Sequence, residues 1–324
     1  MIRNRKLNAQ SVQGIVEKFY ASLTSWKELR KSNPRARMPK KRKWFYVIPY
    51  KEKAIRVIDG RLILSNGKGN EPLMFDWQHE KPKYVEISYD EGYVLNAVYM
   101  PNKVPEIEVG DIAGIDLGEV HIAVARTESV TTILNGRELR SKSRYLNKVK
   151  ASFQSMMQRC KKGSKRHRRL AKAKKRMCKR LNNQIKDVLH KQTTKLISTL
   201  RERDVKTVAI GDIRNIRLNC DKGAYTNQKI HQMRSGRARK MLTYKALLTG
   251  METVMVNEAY TTKTCPRCLS RNECKGRNYK CPICAFEYHR DGVGAINIRQ
   301  KQKYRGFVPV VGEMAPPVGI RYVA

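Results

Sequence analysis

The stretch from Glu258 to Ile298 decides the fold, and it reads EAYTTKTCPRCLSRNECKGRNYKCPICAFEYHRDGVGAINI. It holds two pairs of cysteines with two residues inside each pair and twelve residues between the pairs, namely Cys265, Cys268, Cys281 and Cys284. Two such pairs of thiolates complete a tetrahedral zinc site that leaves no coordination position open. We therefore predict a structural zinc ribbon whose metal holds geometry and does no chemistry.

The charge of the chain indicates its class of partner. The sequence carries 68 Lys and Arg against 28 Asp and Glu, a net charge of +40. Phosphates neutralise such a charge best, because releasing their counterions supplies affinity. The alternatives are a basic surface that only keeps the protein soluble and an anionic membrane, but the sequence shows no amphipathic lipid-facing stretch. It also shows no apolar core of a signal peptide and no run that approaches a membrane span. We expect nucleic acid as the partner, no membrane, and, from the scattered remaining cysteines, a reducing cytoplasm; the oligomeric state stays open.

In the first third of the chain, the residue pattern predicts a helix and then a small β domain. Residues 1–34 form a helical segment that ends at Asn33-Pro34, and a basic run over 35–43 is expected to contact phosphate. Short alternating runs within 35–109, with turns at Asp59-Gly60 and Asn66-Gly67, predict an antiparallel barrel or sandwich followed by a linker over 101–105. The helix should bury one apolar face: Val12, Ile15, Val16, Phe19, Leu23, Trp26 and Leu29.

The remainder predicts a mixed α/β, RNase H-like domain over 110–261. Three strands come first (112–116, 120–125 and 130–134), then a helical hairpin within 140–205 that turns at Gly163-Ser164. A fourth strand (206–210), a helix (233–248) and a fifth strand (252–256) follow, which is the RNase H order. The ribbon then occupies 262–288, and a C-terminal helix and tail occupy 289–324. From Arg140 to Arg180 there are 18 Lys or Arg and no acid, so we expect the hairpin to hold phosphates.

Carboxylates at the ends of these elements suggest a metal centre. Asp116 lies inside the first strand between glycines. A role as a metal ligand explains an aspartate at this position better than a role as a turn cap does. Asp291 begins the last helix and is either its N-cap or a ligand. A two-metal site needs a third acid, and its oxygen ligands favour Mg²⁺ or Mn²⁺. Asp212, after the fourth strand, and Glu258, after the fifth, are the candidates.

The motifs GIDLG, VAIGD, EAYTTKTCPRC with CPIC, and HRDGVGAINI resemble the TnpB nucleases. These are transposon-encoded relatives of the compact type V CRISPR effectors. The resemblance implies a RuvC-type nuclease domain, a guide RNA, a double-stranded DNA target and two-metal hydrolysis of phosphodiesters. It also implies an Asp-Glu-Asp triad, of which Asp116 and Asp291 match the first and third members.

The chain departs from that family pattern in two places. The family's glutamate would stand at Gly211. We predict that Glu258 replaces it, because Glu258 ends the neighbouring strand at the same edge, whereas Asp212 is one residue out of phase. The alternative for Glu258 is an exposed loop glutamate. In addition, the relatives begin with a barrel strand and this chain begins within its helix, which we interpret as an N-terminal truncation.

The leading hypothesis is therefore an RNA-guided, Mg²⁺-dependent DNA endonuclease with Asp116, Glu258 and Asp291 as catalytic metal ligands. Gly211 and the short N-terminus motivate a different class, a nuclease-dead RNA-guided DNA-binding protein that acts as a repressor or a transposition accessory. A general zinc-ribbon DNA-binding factor comes third, because it leaves Asp116 unexplained.

Overall fold

The computed structural model describes residues 6–40, 47–90, 92–101, 106–214, 216, 221, 223–274, 276–312 and 314–320. The chain divides into two compact units, Met1–Lys103 and Val104–Ala324. Most of the predicted linker and the second half of the predicted basic run lie outside the described residues. The finer division into five segments remains a prediction.

The first unit begins with helix α1, Ala9–Ser32. The side chain of Asn8 accepts a hydrogen bond from the backbone N–H of Gln10 and caps the helix, and the helix ends at Asn33, before the proline. The predicted burial of its apolar face is wrong in large part. Only Ser11 and Gly14 are buried, and Val16, Phe19 and Leu29 are 47%, 47% and 53% exposed. Gly14 is the point of closest packing, because a Cβ there would lie 2.8 Å from Pro49 Cγ.

Six strands complete this unit as two antiparallel three-stranded sheets. The strands are β1 (Ile48–Lys51), β2 (Ile55–Ile58), β3 (Arg61–Leu64), β4 (Leu73–Asp76), β5 (Tyr84–Tyr89) and β6 (Tyr93–Val98), in the orders β1-β5-β6 and β2-β3-β4. A shared core of Tyr50, Ile55, Leu62, Leu64 and Val85 joins the sheets, which is the predicted sandwich. Asp59 and Gly60 both have positive φ, 47° and 69°, as a two-residue hairpin requires.

The second unit is built on a six-stranded sheet. Its strands are β7 (Asp111–Asp116), β8 (His121–Arg126), β9 (Thr131–Asn135), β10 (Val205–Asp212), β11 (Glu252–Asn257) and β14 (Val318–Ile320), in the order β11-β10-β7-β8-β9-β14. The first three predicted strands are antiparallel neighbours, and β10 and β11 continue the sheet in parallel from β7. This confirms the RNase H-like arrangement, with the first strand in the middle of the sheet.

Helices cover both faces of this sheet. On one face lie α2 (Arg137–Gln158), α3 (Lys165–Arg201) and α5 (Ser235–Leu248), which share a continuous core with β7, β8 and β10. On the other face lies α6 (Arg290–Tyr304), where Ile298 packs with Ala209 and Val256. A Cβ at Gly114 would lie 2.3 Å from the carbonyl oxygen of Ala295. Glycine at this position therefore lets α6 lie directly on the central strand.

The helical hairpin extends beyond the sheet. Gly163, at φ 85°, turns the chain between α2 and α3 as predicted, and Ser164 caps α3. The buried residues of α3 begin at Leu181, and those of α2 end at Leu146. All residues from 147 to 180 are described, and none of them is buried. The basic part of the hairpin is therefore a solvent-facing arm.

The elements that the sequence did not predict include β4, β14 and the short helix α4 (Ala224–Gln232). The two remaining strands, β12 (Asn278–Lys280) and β13 (Glu287–His289), form the hairpin of the cysteine-rich segment. Within the described part of the chain, every helix is too short or too polar to cross a bilayer.

Candidate active site

Four cysteine thiols lie together as the spacing predicted. The Sγ atoms of Cys265, Cys268, Cys281 and Cys284 all lie within 4.8 Å of one another. Cys265 Sγ is 3.6 Å from Cys284 Sγ, and Cys268 Sγ is 3.5 Å from Cys281 Sγ. Sulfurs that share one zinc at about 2.3 Å lie about 3.8 Å apart. The cluster is therefore compatible with a closed, tetrahedral zinc ribbon.

The cluster is attached directly to the last helix. Strand β12 runs into Cys281, and β13 returns from the second cysteine pair and ends at His289, the residue before α6. Asn272 Nδ2 lies 3.4 Å from Cys281 Sγ, and Ser270 Oγ lies 3.0 Å from Cys268 Sγ, so polar groups surround the thiols as they do at metal ligands. The cysteine cluster thereby fixes where α6 begins.

Asp116 lies at the end of the central strand and faces α6. A Cβ at Gly294 of α6 would lie 2.4 Å from Asp116 Oδ2, so only glycine leaves space for the carboxylate. Burial raises the pKa of Asp116 well above its ordinary value, and the negative charges of Glu258 and Asp291 raise it further. Without a cation, this carboxylate is costly to ionise.

Glu258 occupies the position that a side chain at Gly211 would take. Ile210 pairs with Ile115, so Gly211 is level with Asp116 on the adjacent strand and on the same face. A Cβ on Gly211 would lie 1.9 Å from Glu258 Oε1 and 2.7 Å from its Cγ. The Glu258 carboxylate, which enters from the end of β11, thus lies where a side chain at position 211 of β10 would begin.

One oxygen of the Glu258 carboxylate, Oε1, is buried and, in the described part of the chain, has no hydrogen-bond partner. Burial raises the pKa of Glu258 to about 7; Asp212 adds to the rise, and Lys301 opposes it. An exposed loop glutamate would have neither property. A buried carboxylate oxygen without a donor fits a cation, which would satisfy it.

Asp212 is engaged elsewhere. Its carboxylate binds Arg214, with 2.8 Å between Arg214 Nε and Asp212 Oδ2, and lies 3.7 Å from Arg239 Nη1 on α5. These hydrogen bonds from Arg214 hold the pKa of Asp212 below its ordinary value. It therefore has cationic partners already, unlike Glu258.

Asp291 lies in the first turn of α6 and bonds a histidine. His121 Nδ1, at the start of β8, is 2.7 Å from Asp291 Oδ2. Burial alone would raise the pKa of Asp291, but the hydrogen bond with His121 and the nearby His289 bring it below its ordinary value. No side-chain cap is made at this helix start, whose N-cap is His289, so capping does not explain the aspartate.

Two residues of α6, to which the sequence assigned no role, bind neighbouring segments: Asn297 binds the segment that follows Glu258, and Arg299 binds β7. Buried Asn297 donates from Nδ2 to the carbonyl oxygens of Thr261 (2.6 Å) and Thr264 (2.8 Å). Arg299 Nη2 lies 2.6 Å from Asp111 Oδ1, at the start of β7. The signal for Asn297 was its polar side chain inside the apolar run GAINI.

The structure brings some of the predicted ligands together more closely than others. In the described residues, two groups of three or more His, Cys, Asp or Glu have ligand atoms within 4.8 Å: the four cysteines, and His121 with His289 and Asp291. Asp116 and Glu258 belong to neither group. The predicted triad of Asp116, Glu258 and Asp291 shares one electrostatic neighbourhood, and its role as a catalytic ligand set remains a prediction.

An RNase H-like sheet with a basic helical arm and a four-cysteine ribbon defines a RuvC-like α/β protein. The family described as OrfB_IS605, probable transposase, matches residues 96–217. The Cas12f1-like, TNB domain family matches residues 236–298. These matches fall on the sheet with its hairpin and on the α5-to-α6 segment that contains the cysteines.

Individual proteins with similar sequences agree with these two family matches. The TnpB-like protein MJ1635 of Methanocaldococcus jannaschii is 31% identical over 124 residues, 38% of this chain and 28% of the relative. A TnpB-like protein of Acanthamoeba polyphaga mimivirus is 24% identical over 223 residues, 67% of this chain and 42% of the relative. Over these spans the chain is similar to TnpB-like proteins. It covers less than half of the length of these curated relatives.

A solved structure shares the fold. The cryo-EM structure of a Cas12f1-sgRNA-target DNA complex contains a chain that superposes with a TM-score of 0.60 at 15% identity, over 91% of this chain and 76% of that one. The similarity confirms the mixed α/β, RNase H-like architecture that the order of strands predicted, in the RuvC-like form that the family resemblance implied.

Proposed function

We propose that this protein is an RNA-guided DNA endonuclease that hydrolyses phosphodiesters with divalent metal ions. One observation carries the proposal: the Glu258 carboxylate fills the space beside Asp116 that Gly211 leaves open. A chain that had merely lost its second acid would have no reason to bury another one there, at the cost of an unpaired oxygen.

Asp116, Glu258 and Asp291 would hold Mg²⁺ or Mn²⁺, since carboxylate oxygens are the ligands that these ions prefer. When bound, the ions would supply the positive charge that lowers the pKa of water and stabilises the leaving oxygen. The protein's own contribution is placement. Strand β7, the end of β11 and the first turn of α6 bring the three acids to one edge of the sheet.

The ribbon and the arm have separate roles in this proposal. Zinc on the four cysteines would fix β13 and hence the start of α6, on which Asp291 lies. The basic arm would bind the phosphates of guide RNA and target DNA, because no acids within 140–180 neutralise its 18 Lys and Arg. Base pairing, not the protein, would then select the sequence.

One observation favours the second candidate, guided DNA binding without cleavage. Asp116 and Glu258 lie outside both groups of described residues whose ligand atoms fall within 4.8 Å of one another. A centre too open to bind two ions would leave a chain that binds DNA and does not cut it.

A cleavage assay separates the two candidates. The full chain is expressed together with the DNA that flanks its gene, purified with the RNA that it retains, and given Mg²⁺ and a plasmid library bearing matching targets. We expect cleavage by the wild type and a loss of at least about 100-fold in Asp116→Asn, with RNA retention unchanged. Target binding by the wild type without cleavage would instead establish the second candidate.

A further inference from the structure

Beside the predicted triad lies a second group of metal-binding side chains. One nitrogen of His121, one of His289 and one oxygen of Asp291 all lie within 4.8 Å of one another. The closest pair is His121 Nδ1 and Asp291 Oδ2, at 2.7 Å, and the centroids of the two imidazole rings are 5.0 Å apart. The three residues come from three different elements: β8, the ribbon hairpin and α6.

The group is sheltered and contains an unsatisfied atom. The side chains of His121 and Asp291 are 14% and 29% exposed. The Nδ1 atom of His289 is buried and has no hydrogen-bond partner among the described residues. A buried imidazole nitrogen without a partner is destabilising, and a metal ion is one of the partners that would satisfy it.

The chemistry of these ligands differs from that of a magnesium site. Mg²⁺ takes oxygen ligands and retains much of its water. Two imidazoles with one carboxylate favour first-row transition ions such as Mn²⁺, Co²⁺ or Zn²⁺. Ligand atoms at about 2.1 Å from one ion lie about 3.0 Å apart in octahedral and about 3.4 Å apart in tetrahedral geometry. His121 Nδ1 and Asp291 Oδ2, which are 2.7 Å apart, would therefore need to separate by only a few tenths of an ångström to share an ion.

We propose that His121, His289 and Asp291 form a binding site for one divalent transition-metal ion, distinct from the cysteine cluster. Binding requires neither nucleic acid nor catalysis. Its consequence for cleavage, namely that Mn²⁺ supports the reaction better than Mg²⁺, rests on the proposed nuclease function, because Asp291 would be common to both sites. The alternative role of the histidines is to orient Asp291 by the hydrogen bond alone.

Cobalt provides a readout that does not depend on activity. The full chain is first given one equivalent of Zn²⁺, which the four cysteines take up, and is then titrated with Co²⁺ while visible absorption and bound metal are measured. We expect one further equivalent of Co²⁺, with ligand-field bands but without the intense thiolate charge-transfer band. Excess Mg²⁺ should not remove it. Uptake of no second equivalent, or its ready displacement by Mg²⁺, would overturn the proposal without any variant.

Variants locate the site. Loss of an outer-shell partner alone weakens metal binding about 10- to 100-fold, so His289→Gln and His121→Gln should each weaken Co²⁺ binding by at least about 100-fold. His231→Gln changes an exposed histidine of α4, and this variant should bind Co²⁺ as the wild type does. Unchanged Co²⁺ binding in the double His121→Gln, His289→Gln variant would overturn the assignment. An inactive chain that still binds Co²⁺ would reject the nuclease function alone.

Discussion

The cysteine cluster and the predicted triad of Asp116, Glu258 and Asp291 are two candidate metal sites in one domain, and their residues are distributed differently along the sequence. All four thiols come from 20 consecutive residues, 265–284, and their spacing predicts their geometry. The acids come from positions 116, 258 and 291, and only the arrangement of the strands and the last helix brings them to the same end of the sheet. A local site can be read from spacing, whereas a distributed site can be read only through the fold.

The largest expected effect comes from disrupting the cysteine cluster, and it tests whether that cluster supports the site formed by the three acids. Cys281→Ser should abolish zinc retention, because structural zinc contributes about 10–16 kcal/mol to the folding of such peptides. Cleavage should fall by at least about 100-fold as the start of α6 loses its position. RNA should still be retained by the arm. Zinc content, limited proteolysis of 258–298 and cleavage are measured together.

Cys160→Ser is the matched control, since Cys160 lies at the arm and outside the cluster. A Cys281→Ser chain that lacks zinc and cleaves normally would separate the two regions and contradict the supporting role of the ribbon.

The second effect concerns the cost of burying Glu258 without a cation. Its folded-state pKa of about 7 lies above the ordinary 4.5, so its stabilising contribution is complete below about pH 4.5 and is lost as the pH rises through about 7. The difference corresponds to about 3 kcal/mol. In the absence of Mg²⁺, the wild type should therefore lose more stability between pH 5 and pH 8 than Glu258→Gln does.

Denaturant unfolding at several pH values measures this difference, with Glu252→Gln at an exposed position of β11 as the control. Mg²⁺ should restore the stability of the wild type at pH 8 and leave the stability of Glu258→Gln unchanged. Parallel pH profiles of the wild type and Glu258→Gln would show that the carboxylate is not buried as described.

The smallest effect comes from one methyl group. Gly211→Ala places a Cβ 1.9 Å from the present position of Glu258 Oε1, so the glutamate must move. Because its side chain is flexible, the loss of stability should be about 1–3 kcal/mol, while cleavage should fall about tenfold or more. Gly236→Ala is the control, because nothing lies within 4 Å of a Cβ there. Equal cleavage by both variants would mean that the position of Glu258 is unimportant.

The first five strands of the large sheet and the helical hairpin could be predicted because their apolar residues recur with a clear period, as in Leu181 to Leu200 of α3. Strand β4 could not, since all four of its residues are exposed and show no alternation. The apolar spacing of α1 predicted a buried face, but Phe19 and Leu29 remain exposed, because periodicity indicates a helix and does not show what covers it.

In the candidate site, the nearness of Glu258 to Asp116 could be predicted because Glu258 ends the strand beside the one that carries Gly211. Its role as the second acid stays a prediction. The place of His121 in the site could not be predicted. It lies 170 residues from Asp291, and nothing in the sequence around a histidine at the start of β8 distinguishes it from an ordinary surface residue. The contact exists only because β8 and α6 meet at the same edge.

The central claim is that Glu258 supplies the second acid in place of position 211. The most direct measurement compares guided cleavage by the wild type, Glu258→Gln, Asp212→Asn and the double variant Gly211→Glu, Glu258→Ala, which moves the carboxylate onto β10. We expect cleavage by the wild type, a loss of at least about 100-fold in Glu258→Gln, near-normal cleavage by Asp212→Asn and substantial recovery in the double variant. Full cleavage by Glu258→Gln, or its loss in Asp212→Asn instead, would contradict the claim.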